Sequence, residues 1–356
     1  MQKMATHQRR DTASSHSSSS LYLCIVFLLA ISSTFPTPTL SAISPRSRCN
    51  PADKRVLLQI KKSINNPHHF HSWNSTLPCC DWDYVLCNDY THRVVQLNFY
   101  GIQTHFQIPA AIGELPYLRF LNFAGLPNLT GTIPYSFTKL QNLESLIIRR
   151  TTLSCPIPDF LGQLKNLRQL ILSYNQLSGH IPASLGYLNK LALLDLRWNK
   201  LNGNIPDSFG SFNFDDGMGF MLDLSHNQLA GEIPKSMGAL NFTSIDLSHN
   251  KLVGDASVLF RENTAARSIY LYNNRLDFDL TKVWFPRNIN YLDLSHNRIH
   301  GSIPNQVIEL DLQSMDLSYN RLCGKIPFGG NVQQLGAKSF AHNQCLCGPP
   351  LPTKCK

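Results

Sequence analysis

The sequence predicts an α/β repeat solenoid. It reads as a right-handed superhelix of about ten units, with a parallel β-sheet along its concave side and a disulfide-stapled cap at each end. Three observations carry this expectation. One hydrophobic pattern recurs about every 24 residues from Val94 to Pro327. Each copy contains a Leu-x-Leu alternation, the period of a short strand with one buried face. Eight of the ten cysteines gather at the two ends of that array. Length alone, 356 residues, suggests two or three ordinary domains. A repeat array escapes that rule, because each unit needs only its neighbours.

Residues 1–42 do not belong to the array. A polar, basic opening with Lys3, Arg9 and Arg10 leads into the apolar run Leu21 to Ile31. Eleven helical residues reach about 16 Å, half a bilayer core, so the run reads as the hydrophobic part of an export signal. The long polar opening leaves a signal-anchor as the alternative. Ala30-Ile31-Ser32 and a cut after Ala42 are both candidate cleavage sites. Removal takes away three basic residues and Asp11, lowering the formal charge from +9 to +7. No later segment is long and apolar enough to span a bilayer, so a secreted chain without a membrane span is expected.

The repeat is clearest at Leu167-x-x-Leu170-x-Leu172-x-x-Asn175-x-Leu177-x-Gly179-x-Ile181-Pro182. Copies follow from Leu191, Leu222, Ile289 and Leu312, and degenerate ones begin near Val94, Leu118, Leu143, Phe242 and Ala266. The asparagines recur at 175, 199, 227, 250, 274, 297 and 320. This is the pattern of a leucine-rich repeat. The leucines of the alternation face inward, and stacked strands pool them into one core that no unit can make alone. Asparagine bonds the turn backbone where the ladder ends. Gly-x-Ile-Pro then carries the chain across the convex side. Gly219 and Ala266 fall in slots that otherwise hold the leading leucine.

Residues 43–93 read as an N-terminal cap and 328–356 as a C-terminal cap. In the first, Asn50 is placed to cap a helix that starts at Pro51, with Asp53 near its positive end. Val56, Leu57, Ile60 and Ile64 form its apolar stripe, and Pro67 stops it. Trp73 and Trp82 read as cap core. Cys49, Cys79, Cys80 and Cys87 form one set of four, and Cys323, Cys345, Cys347 and Cys355 the other. In an oxidising compartment each set suggests two disulfides; the spacings do not resemble paired zinc knuckles. Cys155 reads as a buried bystander rather than a reactive group.

Those cap and repeat motifs, with Trp73…Cys79-Cys80-x-Trp82…Cys87 before and Cys345-Leu346-Cys347-Gly348-x-Pro350-Leu351-Pro352 after, resemble the plant-specific extracellular leucine-rich repeats. Within them the chain closely resembles the polygalacturonase-inhibiting proteins of plant cell walls. Pro158-Asp159-Phe160-Leu161 and Gly254-Asp255-Ala256-Ser257-Val258-Leu259-Phe260 add local matches. The resemblance implies the pairs Cys49–Cys79, Cys80–Cys87, Cys323–Cys345 and Cys347–Cys355. It also implies a secreted cell-wall defence protein that binds and inhibits microbial or insect endopolygalacturonase through its concave face. The family also contains an ice-binding relative.

Outward strand positions form columns. One runs Asn98, Asn122, Ile147, Ile171, Asp195, Asp223, Asp246, Tyr270, Asp293, Asp316. The next, toward the turn, includes Arg149, Ser173, Arg197, Ser225, Ser248, Tyr272, Ser295 and Ser318. The third includes Arg150, Tyr174, Trp198, His226, His249, Asn273, His296 and Tyr319. Arg149, Arg150, Arg168, Tyr174, Arg197 and Trp198 break the consensus within units three to five. They are residue types that dominate protein contact surfaces, and they form the candidate partner-binding cluster. Asp195, Asp223, His226, His249 and Tyr272 are further candidates, although Asp-Leu-Ser-His-Asn also reads as repeat filler. The histidines recur by repetition with no Ser or Cys nucleophile beside them, so no catalytic residue, metal or cofactor is expected. They are expected instead to charge in an acidic wall and make the face more positive.

The +7 balance, with Arg149, Arg150 and Arg168 as its densest local group, suits acidic pectin or an acidic enzyme partner. Nucleic acid is not an expected partner of an exported chain. The sequons at Asn74, Asn128 and Asn241 are candidate glycan sites. The alternative to an inhibitor is a module that binds a plant receptor ectodomain. Ice binding wants a flat array of identical small polar groups, which these mixed columns lack.

Overall fold

The computed structural model describes residues 49–212 and 219–355; the expected export segment lies outside them. Its one α-helix, α1, spans Pro51–Ser63. Asn50 Oδ1 accepts from the amides of Ala52 and Asp53, and Pro51 opens the first turn, as the capping pattern requires. Leu57, Ile60 and Ile64 are fully buried, with Val56 half-buried beside them. Asp53 does more than face the helix dipole. Its carboxylate accepts from both Nε and Nη2 of Arg93 and from the Val94 amide, at 2.8–2.9 Å, and is 2% exposed. That pair fastens α1 to the first repeat strand.

The concave sheet has eleven strands. Val85–Cys87 pairs antiparallel with Val94–Phe99, and nine more strands follow in parallel and in chain order, from Phe120–Leu126 to Ser314–Asp316. The inward leucines are 0–2% exposed from Leu97 through Leu294. Burying one leucine is worth about 2 kcal/mol, so a lone unit cannot offset the ordering of two dozen residues.

Seven repeat asparagines form a second ladder inside the turns. Asn227 is typical: its Oδ1 accepts from Leu201 N at 3.0 Å, and its Nδ2 donates to the carbonyls of Leu196 and Leu224. Each asparagine thus staples its own turn to the preceding unit. Asn343 adds one more rung, bonding Leu322 N and the carbonyls of Leu317 and Phe340. The ladder therefore continues into the segment read as C-terminal cap. At the other end, Thr151 N and Oγ1 both donate to Asn175 Oδ1.

The convex side departs from the sequence reading. Its helical pieces are short 3-10 turns, most of which begin after the repeat proline, such as Ala183–Tyr187 and Asp207–Ser211. Five more strands, Ser178–His180, Lys200–Gly203, Gln228–Glu232, Lys251–Gly254 and Arg275–Leu276, form a second parallel sheet on the flank. A convex spine locks the 3-10 turns together. Ser136, Ser184, Ser208 and Ser236 each donate to a carbonyl of the preceding unit at 2.7 Å. Beside them Gly113, Gly162, Gly186 and Gly210 approach so closely that a Cβ would lie 2.4–2.6 Å from a neighbouring carbonyl oxygen.

Gly219 does not occupy the leading-leucine slot. The strand Phe220–Asp223 slips at its start, so Phe220 pairs with Phe242 and fills the core at 2% exposure. Ala266 holds its slot, fully buried. The four disulfides join Cys49–Cys79, Cys80–Cys87, Cys323–Cys345 and Cys347–Cys355, the pairing the family resemblance implied. Cys155 is half-buried, and desolvation raises its thiol pKa.

Candidate functional site

The strand registers place the first column as read. Asn98, Asn122, Ile147, Ile171, Asp195, Asp223, Asp246, Tyr270, Asp293 and Asp316 pair across consecutive strands. Their accessibility differs from the expectation. Asp195 is 6% exposed and Asp223 is half-buried. Ser173, Ser225, Ser248, Ser295 and Ser318 are 0–5% exposed rather than outward. The reason is local hydrogen bonding: Asp223, Asp246 and Asp293 each accept from the amide and hydroxyl of the serine two residues on. Those Asp-x-Ser groups close turns. Asp195, followed two residues on by Arg197 instead of serine, accepts from the Arg197 amide and is buried, so neither it nor Asp223 projects from the face as the third column does.

The third column projects. Arg150, Tyr174, Trp198, His226, His249, Asn273, His296, Tyr319 and His342 all have φ between 52° and 58°. That left-handed turn throws successive side chains off the sheet edge one above the next. Their rings stack: Tyr174 on Trp198 at 5.8 Å, Trp198 on His226 at 3.8 Å, and His226 on His249 at 4.0 Å between centroids. Tyr272 closes this run edge-on against His249. A second run, His296–Tyr319–His342, resumes after Asn273.

Within the first run the exposed rings are Trp198, at 47%, and Tyr174, at 37%. Arg149 and Arg150 are exposed, and the Arg150 guanidinium lies 5.4 Å from the Tyr174 centroid; Arg168, also exposed, precedes the strand Gln169–Ile171, at the end away from the rings. Arg197 is not at the surface with them. Its Nη1 donates to Asp223 Oδ2 at 3.0 Å, and its Nε lies 3.5 Å from Asp195 Oδ2.

Charges follow from this burial. Desolvation raises Asp195 to about 6 and Asp246 to about 7, with Asp223 also raised. Burial in the ring stack pushes His226 down to about 4 and lowers His249. His226 is therefore neutral in a mildly acidic medium, and His249 is shifted the same way, against the expectation that they charge there. Among the described residues, the one cluster with metal-ligand spacing is Cys49, Cys79 and Cys80, whose sulfurs are spent in disulfides.

One outward column escaped the sequence reading. Gln96, Phe120, Ser145, Gln169, Leu193, Met221, Ser244, Ser268, Tyr291 and Ser314 run parallel to the aspartate column. Met221 is 38% exposed and Leu193 half-buried, so with Ile147 and Ile171 they make an apolar patch across four units. Strict alternation was the available signal. Leu193 hid it, because it sits among core leucines at 191, 194 and 196.

A leucine rich repeat N-terminal domain matches residues 50–88, and leucine rich repeats match 166–188, 190–212, 221–240, 288–310 and 311–329. The polygalacturonase inhibitor of Pyrus communis is 54% identical over 331 residues, covering 91% of this chain and 98% of that one. Polygalacturonase inhibitor 1 of Arabidopsis thaliana is 52% identical over 331 residues, covering 92% and 97%. The chain belongs to the polygalacturonase-inhibitor family of leucine-rich-repeat proteins. This member of the polygalacturonase-inhibitor family also matches the crystal structure of a plant ice-binding protein, with a TM-score of 0.82 at 42% identity, covering 86% and 99% of the two chains. Its concave columns mix Ile, Asp, Arg and Tyr rather than repeating one small polar group. Among the described residues no helix is long and apolar enough to cross a membrane.

Proposed function

We propose that this protein is a secreted plant cell-wall inhibitor of microbial or insect endopolygalacturonases, acting in the apoplast by occlusion. The observation that carries the reading is the Tyr174–Trp198 ring pair, exposed at the slot that holds His226, His249 and His296 in later units. Large rigid rings flanked by arginine bury much area at little entropic cost, which is what a protein contact needs. The apolar strip Ile147, Ile171, Leu193 and Met221 extends the contact across the sheet. The partner is a protein, and the reading assigns no residue of this chain a chemical step. Arg149 and Arg150, with Arg168 at the other edge of the sheet, give the face basic character suited to the acidic pectin on which such an enzyme works. Of the sequons, Asn241 is exposed, whereas Asn128 Nδ2 donates to the Gln103 carbonyl, so Asn241 is the favoured glycan acceptor.

The test is reducing-end release from pectin by a panel of fungal and insect endopolygalacturonases, with and without the secreted protein. Dose-dependent loss of activity with at least one enzyme supports the reading. Folded protein that slows none of a broad panel overturns it and moves the assignment to a receptor-ectodomain partner.

A further inference from the structure

Arg197 occupies a slot that is serine at Ser173, Ser225, Ser248, Ser295 and Ser318. In three of those units the serine hydroxyl bonds the Asp two residues before it, closing a small turn. Arginine at this slot does something different. It keeps the backbone bond, Arg197 N to Asp195 Oδ1 at 3.2 Å. Its long side chain then lies along the sheet, with Nη1 on Asp223 and Nε near Asp195. The outer face of the same guanidinium lies 5.6 Å from the Tyr174 ring centroid. Tyr174 is thus held between Arg150, Arg197 and Trp198, and the Trp198 ring lies nearly parallel to it, at 9°.

A guanidinium hydrogen-bonded to Asp223 and within ion-pair reach of Asp195 is a floor for an aromatic ring. An unsupported ring on an exposed turn samples several rotamers, and a partner must then freeze it. We infer that Arg197 is a positioning residue of the contact surface: anchored on Asp195 and Asp223, it sets the Tyr174 and Trp198 rings in the orientation the enzyme partner meets, without touching that partner itself. This rests on the inhibitor reading of the concave face. The Arg197 side chain is 29% exposed. Ordering each such side chain costs roughly two- to twelvefold in affinity, so loss of the floor weakens binding about tenfold.

The test uses the whole secreted protein in a Trp284→Phe background. Trp73 and Trp82 are 1–2% exposed, and Trp198 is then the remaining exposed indole of the four tryptophans. Arg197→Gln should raise acrylamide quenching of Trp198 and weaken binding to an inhibited polygalacturonase about tenfold. Arg197→Lys, which keeps charge but not the two-pronged anchor, should recover only part of both. Because Arg197→Gln leaves two buried carboxylates uncompensated, the triple variant Asp195→Asn, Arg197→Gln, Asp223→Asn serves as the control for folding. It should show the same rise in quenching. Unchanged quenching and affinity in the triple variant, with Trp198→Ala still abolishing inhibition, would overturn the positioning role alone. If Trp198→Ala leaves inhibition intact, the contact surface itself is misassigned.

Discussion

Trp198 lies flat on His226, with ring centroids 3.8 Å apart and planes 15° from parallel. Loss of hydration in that position, with smaller contributions from the neighbouring His249 and Arg197, lowers the His226 pKa to about 4. The first prediction is therefore negative: replacing His226 and His249 with Gln leaves partner binding unchanged between pH 5 and 7. An NMR titration of the two imidazoles should give midpoints below the ordinary histidine value. A midpoint above 6.5 for His226 contradicts the stacked geometry.

Asp246 titrates the other way, with burial raising it to about 7. A carboxyl whose folded pKa exceeds its unfolded value binds more protons when folded, so the stability it contributes is present at acid pH. That contribution is lost as pH rises from about 4 through about 7. Asp246→Asn keeps the acceptor for Ser248 and removes the charge. It should raise the unfolding free energy at pH 7.5 by on the order of 2 kcal/mol and change it little at pH 4.5. Denaturant melts at the two pH values check this; equal effects at both would contradict it.

Asp53 and Arg93 join α1 to the first strand through a fork that is 3% and 19% exposed at the two side chains. Removing one partner leaves a largely buried charge and an unmet Val94 amide. Asp53→Ala should cost about 3 kcal/mol, with the N-terminal cap becoming protease-sensitive before the central repeats. A loss under 0.5 kcal/mol would show that the cap is held by its disulfides and apolar stripe alone.

The convex spine is equally specific. A Cβ on Gly186 would lie 2.4 Å from the Ser208 carbonyl oxygen, and backbone cannot yield as a side chain can. Gly186→Ala should destabilise by about 2 kcal/mol, whereas the same change at Gly238, where the nearest atom is 3.3 Å away, should be much milder. Thermal melts of the pair decide between packing and generic glycine effects.

The inner half of each repeat was legible from the sequence because Leu-x-Leu and the trailing asparagine are local rules: side-chain period and turn chemistry. The second sheet was not, since strands such as Lys200–Gly203 have no apolar alternation and exist only because successive units present backbone to each other. Phe220 was missed for a related reason, a slip at the start of its strand that follows the longer spacing between Asn199 and Asn227. At the candidate site, Tyr174 and Trp198 stood out because they break the consensus. Asp195, Asp223 and Arg197 looked equally outward, but in the structure they are paired with one another and less exposed than the two rings. Leu193 and Met221 were hidden by composition, since a leucine beside core leucines carries no mark of which way it faces.

The central claim is that inhibition passes through the Tyr174–Trp198 pair. The most direct measurement is inhibition of one responsive endopolygalacturonase by wild type, Tyr174→Ala and Trp198→Ala, each checked for native folding. The account predicts that Trp198→Ala weakens inhibition at least thirtyfold, about 2 kcal/mol or more, the loss typical of a contact hot spot, with Tyr174→Ala close behind. Inhibition by both variants within twofold of wild type would place the contact elsewhere on the solenoid.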